Sequence, residues 1–421
     1  MILLSLAWHS LKNRRLTTGL TVVSIALSVA LLVGVDLVRV GARDSFANTI
    51  SQTDLIVGAR GGSLTLLLYS VFHMGSATNN VSYQSYLHFK NHAAVEWTIP
   101  YSLGDSHRGF RVVGTTNDFY EHFHYHRDRK IEFAEGRMPD GIFDTVLGWD
   151  VAQALHYKIG DPIVVTHGIS EGRGILQHDD KPFHVVGILA RTATPVDRSV
   201  YVTLYGISAM HIDWADGGPP MPGEETPVSK ITKDNLEIKQ ITAFLVRCKS
   251  RIDTLGLQRE INTFEDEPLM AIIPGVALSE LWNTIGYAEE ALTVVTFFVL
   301  VVGLLGMLVS LYTSLNERRR EMAILRAVGA GPRKVIFLLV LESGLLALAG
   351  TFLGVTGIYA VSALTQPLVE HRFGMFIPVT PPSTTGYVYI CAVVVAGLLI
   401  GTVPAVKAYR NALADGLSIR V

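Results

Sequence analysis

With 421 residues, 49% of them hydrophobic and 17% charged, and a positive mean hydropathy, the chain departs from ordinary soluble domains toward membrane proteins. A formal net charge of -2 excludes the basic footprint of a nucleic-acid binder. Two cysteines, Cys248 and Cys391, in segments expected on different sides of the membrane boundary, exclude a disulfide framework.

Residues 1–15 read as a cytoplasmic amphipathic surface helix, because Leu4, Trp8 and Leu11 share one face at i, i+4, i+7 and Trp8 suits the headgroup level. The uncharged run Leu16–Val35 opens the first predicted transmembrane helix, 16–40. It is longer than the apolar core of a signal peptide, and apolar residues already precede the basic cluster, so a retained span is expected rather than a cleaved leader. Residues 41–285 are polar and mixed and form one large domain. Within it Thr53–Gly58, Val95–Leu103 and Gly109–Gly114 are strand-like and Tyr83–Asn91 is a helix candidate. Near the end, Ile241–Cys248, Ile252–Phe264 and Leu269–Pro274 repeat the order strand, helix, strand. Two such βα-type units predict an α/β layer, with a mostly β module inserted at about 131–210. The stretch "GGPPMPGEETP", Gly217–Pro227, is a loop.

Three further spans are predicted at 286–315, 335–364 and 387–406, separated by a cytoplasmic hinge at 316–334 and an extracytoplasmic loop at 365–386, with a tail at 407–421. Lys12, Arg14 and Arg15 precede the first span, six Lys/Arg lie in the hinge, and Lys407, Arg410 and Arg420 come after the fourth, whereas the 365–386 connection carries only Arg372. The positive-inside rule therefore puts both termini and the hinge in the cytoplasm and the large domain outside. The fold class is a polytopic α-helical membrane protein of four transmembrane helices with a large α/β plus β extracytoplasmic domain.

Several residues stand out as candidate sites. In the hinge "NERRREMAILRAVGAGPRKV", Asn316–Val328 holds good helix formers, a Met322, Leu325, Val328 stripe on one face, Glu317 and Arg320 as an i, i+3 pair, and a Gly-Pro stop. A basic loop held on anionic lipid explains the arginines but not the stripe or the stop. Gly350 with Gly354, and Gly397 with Gly401, are small-xxx-small patterns, read either as packing within the chain or as a dimer seam. Glu342 interrupts an apolar run and is expected to face protein, water or a basic partner rather than lipid. In "EHFHYHRDR", His122, His124 and His126 alternate, so on a strand they would share one face, either as a Zn or Cu site or as a solvated edge. The apolar stretch "SLTLLLYSVFHMG" reads as a core helix or as an exposed flap for lipid or peptide. No G-x-x-x-x-G-K-[ST] loop occurs in the sequence, so nothing in it would cradle ATP phosphates.

The layout of one span, a large domain and three spans resembles the FtsX-like permeases of the MacB and LolC/LolE group, the mechanotransmission (type VII) ABC transporter permeases. The hinge and the start of the third span, "NERRREMAILRAVGAGPRKVIFLLVLESGLLALAGTFLG", look like that family's core signature. "FAEGRMP", "VLGWDVAQALHYKIGDPIVV" and "FHVVGILARTATPVDRSVYVTL" are similar to its periplasmic core domain. The tail "VPAVKAYRNALADGLSIRV" departs from the usual Asp-Pro after the last span. The resemblance implies a non-catalytic permease subunit in the bacterial inner membrane, with no cofactor of its own. It also implies a cytoplasmic ABC ATPase dimer that binds ATP and Mg, a second permease copy, identical or not, and a periplasmic adaptor or substrate-binding protein. It assigns ATPase coupling to Glu317, Arg318, Arg319, Glu321, Met322, Leu325, Arg326, Val328 and Gly329, and implies extrusion or extraction of a lipophilic, lipoprotein or peptide-like substrate. Regulation of an envelope hydrolase, as in FtsX, is the alternative; a transport component or hydrolase using a metal on the three histidines ranks after it.

Overall fold

The computed structural model describes residues 7, 9, 11, 12, 14–126, 128–168, 178–214, 226–317, 331–373 and 381–415. The chain divides into two compact units, one of residues 43–284 with 368–376 and one of residues 1–42, 285–367 and 377–421.

In the first unit a mixed sheet runs, edge to edge, Leu269–Ile272, Leu55–Ala59, Ala243–Cys248, Val95–His107, Phe110–Thr115, Ser199–Thr203, Asp144–Leu147, Phe183–Leu189 and Phe133–Gly136. Two neighbouring pairs are parallel, Phe110–Thr115 with Ser199–Thr203 and Asp144–Leu147 with Phe183–Leu189; the other neighbours are antiparallel. Period-two alternation sends Leu55 and Val57 to one face and Ile56 to the other. The first two pack with Tyr86, Phe89, Leu257 and Ile261 of the helices Tyr83–Lys90 and Arg251–Asn262. Ile56 packs with Leu66, Leu67 and Tyr69 of the helix Ser63–Val71. Helices thus cover both faces, which is why Leu55–Val57 reads as an unbroken apolar run instead of an alternating one. Ser82 and Ser250 start two of these helices by accepting the N–H of Ser85 and Ile252.

The module expected at about 131–210 is not set apart from this sheet. Val95–His107 pairs with Ala243–Cys248 along its first half and with Phe110–Thr115 along its second, so the strands of 131–210 continue one hydrogen-bonded path. Gly104, at φ +157°, sits in the register shift between Leu103 and Ser106, a bulge position where a residue without a Cβ is least strained. The stretch Ser63–Gly75 resolves in favour of a core helix, since Leu66, Leu67, Tyr69 and Val71 are buried. Most of the expected loop Gly217–Pro227, residues 217–225, lies outside the described residues.

Among the described residues, the second unit holds four stretches long and apolar enough to cross a membrane, Arg15–Gly41, Pro274–Thr313, Arg333–Val369 and Thr384–Lys407; the second begins within the first unit. They belong to helices that extend further, Arg15–Thr49, Pro274–Glu317, Pro332–Phe373 and Thr384–Asp415. The helices outrun the predicted spans because a helix satisfies its own backbone groups and has no reason to stop where the hydrocarbon does. The expected 365–386 loop is accordingly helical through Phe373, with Pro367 inside the helix. Ile25, Val29 and Val33, spaced by four, meet Leu304, Met307 and Leu311 of the second long helix, Leu346 of the third and Val393 of the fourth. Of the expected N-terminal surface helix, Leu11 is described and packs at the edge of this cluster, while Leu4 and Trp8 lie outside the described residues.

Candidate functional site

Two long helices frame the hinge. Glu317 ends the second and Pro332 begins the third; a proline is tolerated in a first turn because its missing N–H would have no partner there. Arg318, Arg319, Glu321, Met322, Leu325, Arg326, Val328 and Gly329 lie outside the described residues.

The third long helix carries a stripe of small residues, Ser343, Ala347, Gly350 and Gly354, at i, i+4, i+7 and i+11, which one face of a helix presents in line. A Cβ placed on Gly350 would lie 2.7 Å from the side chain of Ile25 and 3.2 Å from the carbonyl oxygen of Val22, and one on Gly354 would lie 2.5 Å from that of Ala26. Further along the stripe, Gly397 and Gly401 of the fourth long helix are pressed on Ala347 and Ser343. Both glycine pairs are therefore engaged in packing within this chain. Glu342, next to the stripe, is 2% exposed.

The unit is also tied together by polar contacts that sequence reading did not single out. Asp36, 6% exposed, accepts a hydrogen bond from Ser383 Oγ at 2.6 Å, and the same Ser383 oxygen accepts the N–H of Gly386 at 3.0 Å. Ser383 thus caps the fourth long helix and joins it to the first. Arg39 Nε lies 2.9 Å from Glu289 Oε2, joining the first helix to the second. The signal was present in the sequence, as charges at the ends of two apolar runs, but nothing in one dimension pairs them.

In the large domain the expected strand face of His122, His124 and His126 does not form. Asp118–His122 is a helical turn, and the ring of His122 stacks on Trp97 with centroids 5.5 Å apart. His124 belongs to the two-residue strand His124–Tyr125, with its Nδ1 2.7 Å from the carbonyl oxygen of His122, and His126 has φ +44°. The alternation presupposed extended backbone, and Phe119, Tyr120 and Phe123 instead turn inward as a helical cluster in the core. Three other histidines, His167, His178 and His211, do converge. Elsewhere His73 Nδ1 is 2.8 Å from Ser199 Oγ, while the Arg111 guanidinium donates to the carbonyl oxygens of His73 and Gly75. Desolvation, reinforced by Arg111, holds the His73 imidazole down to about 4. Asp197 accepts the backbone N–H groups of Thr192 and Ala193 and the hydroxyl of Thr192. Its burial nevertheless pushes the carboxyl up to about 6.

Among known protein families, that of the MacB-like periplasmic core domain matches residues 18–263, and that of the FtsX-like permease C-terminal region matches residues 293–413. An uncharacterised ABC transporter permease of Methanocaldococcus jannaschii is 23% identical over 255 residues, covering 59% of this chain and 56% of that protein. The pyoverdine export ATP-binding/permease protein PvdT of Pseudomonas syringae pv. tomato is 28% identical, covering 66% of this chain and 38% of that one. The macrolide export ATP-binding/permease protein MacB of Escherichia coli K12 is 32% identical, covering 42% and 28%. The chain spans roughly half or less of the length of these curated relatives. Among solved structures, the periplasmic region of MacB from Actinobacillus actinomycetemcomitans aligns with a TM-score of 0.34 at 10% identity, covering 56% of this chain and 95% of that one.

Proposed function

The chain belongs to the FtsX-like permeases that carry a MacB-like periplasmic core domain, and from that premise we propose that it is the membrane subunit of an ABC transporter working by mechanotransmission. One observation carries the reading: core domain and permease C-terminal region occur together in 421 residues that contain no phosphate-binding loop. ATP and Mg are then bound by an ATPase outside these residues, and the chain contributes motion, not chemistry. Nucleotide-driven closure of an ATPase dimer pushes on the hinge, Met322 and Leu325 seat in the ATPase surface, and the arginines hold the hinge at the lipid headgroups of the inner membrane. The second and third long helices carry the displacement to the extracytoplasmic domain of each of two permease copies. Relatives named for macrolide and pyoverdine export support an amphipathic or peptide-like cargo handled by that domain.

The hinge is the place to test this. A charge put where an apolar contact is expected loses several kcal/mol of association, as an unpaired charge does on burial. The Leu325→Asp chain should insert normally and keep its large domain folded, yet fail to co-purify with the ATPase and to support transport. Unaltered ATPase affinity and full transport in that variant would overturn the coupling role of the hinge.

A further inference from the structure

The three converging histidines lie in the large domain. His167 ends the two-residue strand Thr166–His167, which pairs with Ser106 and Asp105 of the long central strand. His178 is placed by its backbone N–H, which donates to the carbonyl oxygen of Val165 at 3.0 Å. His211 caps the C-terminal end of the helix Leu204–Met210. One nitrogen from each ring lies within 4.8 Å of the other two, and His178 is fully buried. Among the described residues no other trio of His, Cys, Asp or Glu side chains converges this way. Trp214 closes over the group, its ring centroid 4.6 Å from that of His167 and 4.8 Å from that of His178.

Hydrogen bonding fixes which nitrogens face the centre. His211 Nδ1 is 2.8 Å from the carbonyl oxygen of Ile207. A carbonyl only accepts, so Nδ1 carries the proton and Nε2 keeps its lone pair. His167 Nδ1 is 3.0 Å from Asp105 Oδ1; a carboxylate likewise only accepts, which again leaves Nε2 bare. This is the pattern by which metal-binding imidazoles are held in one tautomer and one orientation, with the distal N–H on a carboxylate or carbonyl. The bare Nε2 of His167 then stands 3.0 Å from Nε2 of His178. Two imidazole nitrogens on a tetrahedral zinc, with Zn–N bonds of about 2.0–2.1 Å, are separated by roughly 3.3 Å. The pair is thus within a few tenths of an ångström of the spacing that a shared cation requires.

We propose that His167, His178 and His211 form a binding site for a divalent transition cation of the zinc class, with three imidazole ligands, an open fourth position, and Asp105 and the carbonyl of Ile207 holding two of the rings. Neutral imidazole suits Zn, Cu and Ni rather than Mg or Ca, which require oxygen ligands. The cation would tie the edge strand bearing His167 to the helix end bearing His211. Such a site is independent of the ATPase-coupled reading and survives or fails without it.

The test uses the full chain, purified in detergent micelles on an affinity tag free of histidine, stripped with a chelator and titrated with Zn2+ against a chromophoric indicator. One Zn2+ per chain is expected, with X-ray absorption showing imidazole nitrogens at about 2.0 Å. His178→Ala or His211→Ala should weaken binding at least 100-fold. Asp105→Asn, which keeps every ligand, should weaken it about 10–100-fold. Replacing His122, His124 and His126 together by Ala should leave it unchanged. Failure of the unmodified chain to hold stoichiometric Zn2+ would show a hydrogen-bonded histidine cluster and end the proposal, whatever the variants do. Stoichiometric Zn2+ that survives His178→Ala, His211→Ala and Asp105→Asn would place the metal elsewhere and end it equally.

Discussion

His73 shows how a single side chain can add to the acid sensitivity of the large domain. Its imidazole is held neutral down to about 4 by desolvation and by Arg111, whereas in the unfolded chain it titrates near 6.5. A folded value below the unfolded one means that its contribution is complete above pH 6.5 and drains away as pH falls toward 4. The loss is on the order of 3 kcal/mol. His73→Gln should therefore flatten the fall in thermal stability between pH 6.5 and 4, read by near-UV circular dichroism of the full chain. An unchanged pH profile would show that His73 does not carry the acid sensitivity. At this scale the sequence was a poor guide to histidines. His122, His124 and His126 alternate in one short stretch, but the turn Asp118–His122 takes the first of them onto Trp97. His167, His178 and His211 converge through the pairing of Thr166–His167 with the central strand and through the end of the helix Leu204–Met210, neither of which local spacing encodes.

Among elements, the helices were the most legible and their ends the least. Apolar runs marked four membrane helices, since no soluble element needs about 20 such residues in succession. Their extensions to Thr49 and Phe373 are polar, and polarity says nothing about where helical hydrogen bonding stops. The strands around Leu55–Ala59 were visible through their apolar character, but the single sheet path through Val95–His107 depends on long-range register that alternation does not reveal. The glycine patterns were visible too, though not their partners. Gly354 faces the carbonyl of Ala26 at a distance no Cβ tolerates, whereas a Cβ on Gly357, three residues on, would meet nothing within 4 Å. Gly354→Leu should therefore separate the first and third long helices and destabilise the membrane unit by about 1–3 kcal/mol or more, while Gly357→Leu should leave it unaffected. Thermal stability of the purified protein in detergent distinguishes the two, and equal effects would show that the close approach is not what holds these helices.

For the whole molecule, the proposed orientation is open to a direct check. Single cysteines placed between Gly217 and Glu224 in a background lacking Cys248 and Cys391 should react with an impermeant maleimide in intact cells. Cysteines at Arg318–Arg320 should react only after permeabilisation; labelling of the hinge from outside would invert the topology and remove the ATPase from reach. The family match covers both units and accounts for why motif reading went further than residue-by-residue chemistry, since the hinge and core-domain signatures are local stretches of sequence whereas metal geometry is not.

The stretch Pro274–Thr313, whose first half carries Glu280, Glu289 and Glu290, contains 40 residues, which at 1.5 Å per residue make a rod of about 60 Å against a hydrocarbon layer of about 30 Å. To fit inside that layer the rod would have to lean by about 60°, beyond the 0–40° at which membrane helices stand. A substantial length of it must therefore project beyond the hydrocarbon, and its outward apolar side chains need cover there. Ala277, Leu278 and Leu281 already have it, buried in the core of the large domain. The same comparison makes the first and fourth apolar stretches, 27 and 24 residues, close to bilayer length at about 40 and 36 Å. Changing membrane thickness should thus strain the first and fourth stretches most, since the second already extends beyond the hydrocarbon.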